Sequence, residues 1–526
     1  MRVKCTSLLT SLLLMSCSGE GLVTGWGIDY EYGRDIPHEE IVLGEKLQNP
    51  YTTENMSKAL QSLYPTKADR VDVHTTNYYV RFLPSDEAEY ELLEEMCPYL
   101  LDHPLDYSIV VDGDWYHDPE VPQGDMTWQY TVVPSDFKFP DIRYEVLDAC
   151  YLAENDPSTK GDGIDWDAVE RESYILTGNS GLLNDAVLTK ADKTVPTGRI
   201  TIVDPHFKGG KPFGVAGVMV SCNSFVKFDK TYTDRDGYYT MDKSYSANLR
   251  YRLVFKNQKG FALGFNLVLV PGSVSTLGKS SPDGVNITVT DKSDGKLFRR
   301  CVVNNAAYDY FERCAANDLD IDTPPADLRI WILKSLDASS APMLHHGAIL
   351  KGDLFREFLG LYAPLIETFL PDITIGAKGR NDYRDLYTVT CHELAHASHY
   401  AQVGNAFWDD YILYIISSYL KNGGMTYGTG SGDGAGNCEI GEMWAYYMES
   451  KFYKDRYGGN FPTFGTSFWF YPQIFRYLDE RGIPAGGIFK TMTEDVVSRE
   501  SLKKSLLAAY PSKRNSIEQV FSRYGN

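Results

Sequence analysis

The sequence predicts a multidomain α+β protein: an N-terminal α+β module, a central β-sandwich and a C-terminal, mainly helical domain. Three observations carry this. A chain of 526 residues is too long for one hydrophobic core. Residues 196–272 hold short β-branched runs separated by Gly- and Asp-rich turns. From about residue 295 helical patterns dominate, and one of them contains His392-Glu393-Leu394-Ala395-His396.

Taken in order, residues 1–16 read as an export signal. Arg2 and Lys4 precede a Leu-rich stretch, Ser7 to Met15, that is too short to span a bilayer. Leu14-Met15-Ser16-Cys17 follows and resembles a bacterial lipobox, which implies lipidation of Cys17. Ser18-Gly19-Glu20 is similar to the export signals of Bacteroidetes-type surface lipoproteins. The resemblance implies a body in water, tethered to the bacterial outer membrane on its periplasmic side or at the cell surface.

Residues 17–190 offer no chemical motif. Asn77 to Phe82 and Asp106 to Val111 read as strands, Ser85 to Cys97 as a helix between them, and Trp128 to Val133 as a further strand. Ser85 is the expected N-cap, with Ala88 where a capping box would place Glu or Gln. Glu154 to Asp167 reads as a solvated acidic loop, and its spacing lacks a calcium-loop pattern.

From Pro196 the pattern changes. Gly198 to Val203 and Val215 to Val220 read as strands, and Asp236-Gly237 is a tight turn feeding Tyr238 to Met241. Gly217-Val218-Met219-Val220 and the T-D-x-D-G-x-Y run from Thr233 to Tyr239 resemble the carboxypeptidase regulatory-like domain. That implies a non-catalytic, transthyretin-like sandwich over 196–272 that acts as a spacer or folding aid. Pro271 to Lys292 is either its last turn and strand or a linker.

Residues 295–526 carry the chemistry. In a helix from Arg384 to Val403, His392 and His396 lie one turn apart on one face and can grip one metal ion, with Glu393 beside them as a general base. Catalytic zinc takes three protein ligands and keeps a position open. Glu442, His399 and Glu439 compete for the third place. The segment Glu442-Met443-Trp444-Ala445-Tyr446-Tyr447-Met448-Glu449 resembles the second zinc helix of gluzincins, especially the aminopeptidase N-like group. The resemblance implies a zincin-like metallopeptidase domain with Zn2+ on His392, His396 and Glu442, and with Glu449 orienting a zinc-bound histidine. It also implies a tyrosine downstream to stabilise the oxyanion. Tyr471 is chosen by position, and Tyr477 and Tyr446 compete with it. His345-His346 reads as a loop pair.

The chain departs from that group in three places. Between His396 and Glu442 lie 45 residues, Gly441 stands where the pattern has Asn, and the G-x-M-E-N strand is missing. The metzincin pattern fails, since His399 and Gln402 stand where Gly and His belong. A substrate-binding edge strand is expected at Leu328–Leu333 or Ala341–Leu350.

Composition sets the outer limits. A net charge of -20 and the lack of a basic run exclude nucleic acid as a partner. Of nine cysteines, seven lie beyond Cys17; Cys301 with Cys314 and Cys391 with Cys438 are the first disulfide pairs to test, and buried free thiols are the alternative. The expected activity is hydrolysis of peptide bonds in peptides or proteins by a zinc-activated water. The alternative is a catalytically inactive, zincin-like surface binding lipoprotein.

Overall fold

The computed structural model describes residues 40–524, apart from 67, 69–70, 98, 123–124, 160–162, 184–193, 265–271, 294, 317–318, 335–336, 348–369, 422–426 and 460–467. Cys17 and the signal lie outside the described residues. The protein is a multidomain α+β chain.

In the N-terminal region, β1 (Val42–Lys46) pairs with β3 (Tyr107–Val111). A second antiparallel sheet runs β4 (Gln129–Pro134), β2 (Asn77–Leu83), β5 (Arg143–Cys150). The helices are α1 (Thr53–Leu63), α2 (Glu87–Met96) and α3 (Trp166–Leu176). The α2 cap sits one residue later than the sequence suggests. Asp86 accepts from the Glu89 N–H at 2.9 Å, and the Glu89 carboxylate reaches back to the Ser85 N–H at 2.7 Å. Moving the cap puts a Glu at the capping-box position, which favours the later start. The acidic stretch is not loop throughout, because Asp165 caps α3 from within it.

The sandwich has β6 (Thr197–Ile202) between β10 (Tyr238–Thr240) and β14 (Asn286–Val289), with β7 (Phe213–Gly214) also on β6. The facing sheet holds β8 (Val218–Ser224), β9 (Lys227–Tyr232), β11 (Leu249–Asn257), β12 (Phe261–Leu263) and β13 (Val274–Ser280). Pro271 to Lys292 therefore supplies the last two strands. The facing sheet does not stop at the sandwich. β12 pairs in parallel with β15 (Leu328–Leu333), which pairs in parallel with β16 (Ile373–Gly376).

The sheet and one hydrophobic core run from the sandwich into the helical region. The joint is α4 (Gly295–Ala315), whose Asn304 and Asn305 side chains bond the backbone of Ala216 and Gly214. Beyond it lie α5 (Tyr383–Lys421), α6 (Ala435–Tyr457), α7 (Gln473–Glu480), α8 (Ala485–Phe489), α9 (Arg499–Ala509) and α10 (Arg514–Ser522). The sandwich also holds the far end of α6. Arg456 pairs with the fully buried Asp204 at 3.2 Å, and Tyr457 donates to the same carboxylate at 2.8 Å. The Arg456 guanidinium lies 3.9 Å from the centre of the Phe207 ring.

The seven cysteines beyond Cys17 are buried free thiols, the alternative to both disulfide pairs. Cys301 and Cys314 lie on the same helix, α4, separated by 13 residues. At 1.5 Å rise per residue their Cα atoms are roughly 20 Å apart, far beyond disulfide reach.

Candidate metal centre

Two helices build the site. Asp382 starts α5 by accepting from the Arg384 N–H at 2.8 Å, and Gly404 breaks the helix with φ 76°. The break produces the two helical runs expected from the sequence, and the second folds back towards the first. The 39-residue element thus contributes His392 and His396 from its first half and Tyr411 from its second. α6 begins at Ala435, five residues before the expected Ile440. Gly436 permits this start, since a Cβ there would lie 1.7 Å from the Val497 carbonyl oxygen. Ala445 is fully buried on α6, and its small side chain suits a close approach to α5.

The packing brings His392, His396 and Glu442 together, with one ligand atom of each within 4.8 Å of the others. Nε2 of His392 is 3.6 Å from Glu442 Oε2, and Nε2 of His396 is 3.7 Å from Glu442 Oε1. Glu449 stands 3.0 Å from Nδ1 of His392. A carboxylate only accepts, so this contact puts the proton on Nδ1 and turns the Nε2 lone pair towards Glu442. Two imidazole nitrogens and a carboxylate then face one another in a space closed to water. The arrangement is repulsive unless a cation or a proton sits among them, so the donor set fits a zinc ion. In the bare protein a proton fills that role. Burial opposes charge on His392, but hydrogen bonding to Glu442 and Glu449 outweighs it and moves its pKa up to about 10. His396 is pushed well down by burial and by the charge on His392.

Glu393 is fully buried next to the two histidines, close enough for its charge to act on His392. Tyr411 donates to Glu442 Oε1 at 2.6 Å and fixes the carboxylate. Sequence reasoning missed Tyr411. It lies in the insertion between the histidines and Glu442, where no motif spacing marks it.

The competing ligands go elsewhere. His399 is buried edge-on to Phe407 at 5.0 Å between ring centres, and burial holds its pKa at about 3. Glu439 pairs with Arg499 at 2.6 Å. His346 contacts Asp372 at 3.0 Å and the Ala326 carbonyl oxygen at 2.9 Å. Of the tyrosines, Tyr471 packs on Tyr524 at 4.8 Å and under Arg499. Tyr446, of the three expected candidates, packs on the candidate ligands, its ring centre 4.6 Å from that of His392 and its hydroxyl 3.1 Å from the Tyr427 hydroxyl. Leu328–Leu333 lies inside the sheet with a strand on each side, so it cannot take an added strand. Ser340 instead pairs antiparallel with Thr374 on the outer edge of β16, and the Ala341 carbonyl accepts from the Trp408 indole at 3.0 Å. Residues 348–350 of the other expected edge segment lie outside the described residues.

No protein-family model matches this chain, and no curated protein matches it. Among solved structures, (S)-allantoin synthase aligns at 13% identity over 24% of this chain and 48% of its own, with a TM-score of 0.13. A likeness that slight carries no argument.

Proposed function

We propose that this protein is a zinc-dependent metallopeptidase of gluzincin type, exported and lipid-anchored through Cys17, that hydrolyses peptide bonds in peptides or proteins. One observation carries the reading. His392, His396 and Glu442 converge inside the protein while Glu449 orients His392 from behind, which is three protein ligands with an outer partner rather than a closed four-ligand set. When bound, zinc would supply Lewis acidity to a water and to the scissile carbonyl. Glu393 takes the proton from the attacking water and returns it to the leaving amine. Glu449 holds the His392 tautomer, and Tyr411 holds the Glu442 carboxylate. Tyr446 is placed better than Tyr471 to donate to an oxyanion, because it already packs on His392. No helix among the described residues is long and apolar enough to cross a membrane, so the anchor in this reading is the N-terminal lipid.

The test is zinc analysis combined with digestion of a broad peptide library. Wild-type protein is expected to carry about one zinc per chain and to cleave. Glu393→Gln is expected to keep the metal and lose hydrolysis by a factor of roughly 10²–10⁴. Full activity in that variant overturns the mechanism. The burial of His392 and Glu393, 2% and 0% exposed, favours a second reading, a zincin-like surface protein that only binds ligand. Zinc at full occupancy with no peptide cleaved would select it.

A further inference from the structure

Two cavities open where the N-terminal region meets the sandwich, and they differ in charge balance. The larger, about 590 Å³, is lined by both signs. Its charges are matched, with Lys256 on Glu94 and Arg329 on Glu91. The smaller, about 250 Å³, is lined by Arg250, Arg252 and Lys279, with His103 beside them, and among the described residues by no Asp or Glu. This concentration of positive charge sits in a protein of net charge -20.

We propose that the smaller cavity is a binding site for a small oxyanion-bearing molecule, held by Arg252, Arg250 and Lys279. Arg252 is the central argument. Only 3% of its surface is exposed, yet its guanidinium meets neutral partners. It donates to the Asn223 side-chain oxygen at 2.7 Å and to Nε2 of His103 at 3.1 Å. His103 in turn gives its Nδ1 proton to Asp102 at 2.7 Å, so Nε2 has a lone pair to accept from arginine and the ring is neutral. No carboxylate among the described residues forms a direct ion pair with Arg252, although Asp102 acts on it from behind His103. The Arg252 charge is met only at a distance, by Asp102 behind the His103 ring, and an anion in the adjoining cavity would meet it directly.

The other cations add to the case. Arg250 contacts the half-exposed Asp112, and Lys279 has no ion-pair partner among the described residues. Burial and the neighbouring Arg252 bring Arg250 down to about 10, and burial and Arg250 lower Lys279, as cations do when they repel one another across a shared space. The remaining wall supplies neutral hydrogen-bonding groups, among them Ser108, Asn223, Ser224 and Asn248. The volume suits a single amino-acid- or sugar-sized unit, being slightly below that of drug-sized pockets. The larger cavity shares Arg252 and His103 in its wall, so a ligand there would be read from both sides.

The experiment is calorimetric titration of the full chain with inorganic sulfate, inorganic phosphate and sodium glucuronate, with glucose as the neutral control. Saturable binding of at least one oxyanion is expected, weakened by added salt. Lys279→Ala, at an exposed position that leaves the core intact, is expected to weaken it at least several-fold, and Arg252→Gln more than tenfold. Binding of glucuronate alone supports a carboxylate-bearing ligand, and binding of sulfate or phosphate supports a tetrahedral one. No saturation by any oxyanion up to about 10 mM overturns the proposal. So does glucose binding as tightly as glucuronate, or Lys279→Ala retaining wild-type affinity.

Discussion

The metal centre and the cationic cavity bury charge in opposite ways. At the candidate metal centre two imidazoles and the Glu442 carboxylate converge, with Tyr411 donating to one carboxylate oxygen, and the set offers three ligand atoms to a cation. At the cavity a guanidinium is bonded to neutral groups, with its nearest carboxylate, Asp102, behind the His103 ring, and the proposed anion would meet it directly. Both arrangements bury charge at a cost, and both proposed ligands would offset it. What separates them is their construction. The metal centre comes from two packed helices. The cavity is assembled from residues 103, 223 and 252, on separate elements of two regions. Each difference can be broken by substitution.

The largest effect is expected where burial is fully matched. Asp204 is 0% exposed and holds Arg456 and Tyr457 at the end of α6. Asp204→Ala leaves the Arg456 charge buried without its partner, at a cost of about 3–5 kcal/mol. Denaturant unfolding measures this, and zinc content should fall with it, because α6 also carries Glu442. A loss under about 1 kcal/mol would mean that the aromatic rings around Arg456 suffice to hold the helix.

Next comes the group behind the metal ligand. Glu449→Gln keeps the size of the side chain and removes the charge that fixes His392. Zinc affinity is expected to drop by about 10- to 100-fold with the fold unchanged, read by competition with a chelator. Tyr411→Phe acts on the opposite ligand and is expected to have a smaller effect, since one neutral hydroxyl donor to Glu442 is lost. If Tyr411→Phe costs more than Glu449→Gln, orientation of the carboxylate matters more than the histidine tautomer.

These two residues show how far the sequence could be read. Glu449 lies seven positions after Glu442, so helix periodicity returns it to the same face and resemblance to a zinc helix names it. Tyr411 has no such relation to Glu442. It arrives because Gly404 breaks α5 and turns its second half back towards the first. The strands of the sandwich were legible from β-branched runs and the Asp236-Gly237 turn. The continuation of its sheet through β12 into β15 was not, since parallel pairing leaves no local trace. Strand β5 was missed for a related reason. Tyr144, Val146 and Leu147 are exposed, so the strand lacks the alternation of a half-buried one. Arg252 was invisible as a site, because its significance lies in the neutral groups that bond it and in a cavity assembled from distant residues.

The buried thiols are the control for this comparison, because they stay neutral and need no partner. Burial pushes Cys97, Cys150, Cys222 and Cys314 each up to about 12 from an ordinary value near 9. At pH 8 the native thiolate fraction at these positions is on the order of 10⁻⁴, so alkylation is expected to leave them unmodified until denaturant is added. The pH dependence follows in sign. The folded value lies above the unfolded one, so the unfolded chain sheds thiol protons first as pH rises. The stabilising contribution is intact below about 9 and is lost between about 9 and 12, at up to about 1.4 kcal/mol per pH unit for each thiol. Mass spectrometry of alkylated peptides, without reductant, checks both points. A linked Cys391–Cys438 peptide would contradict free thiols and would show the helices that carry His392 and Glu442 to be covalently tied. Rapid alkylation of Cys222 in the native chain would show that the sandwich opens beside Arg252, and the buried guanidinium would then have water, rather than an anion, as its partner.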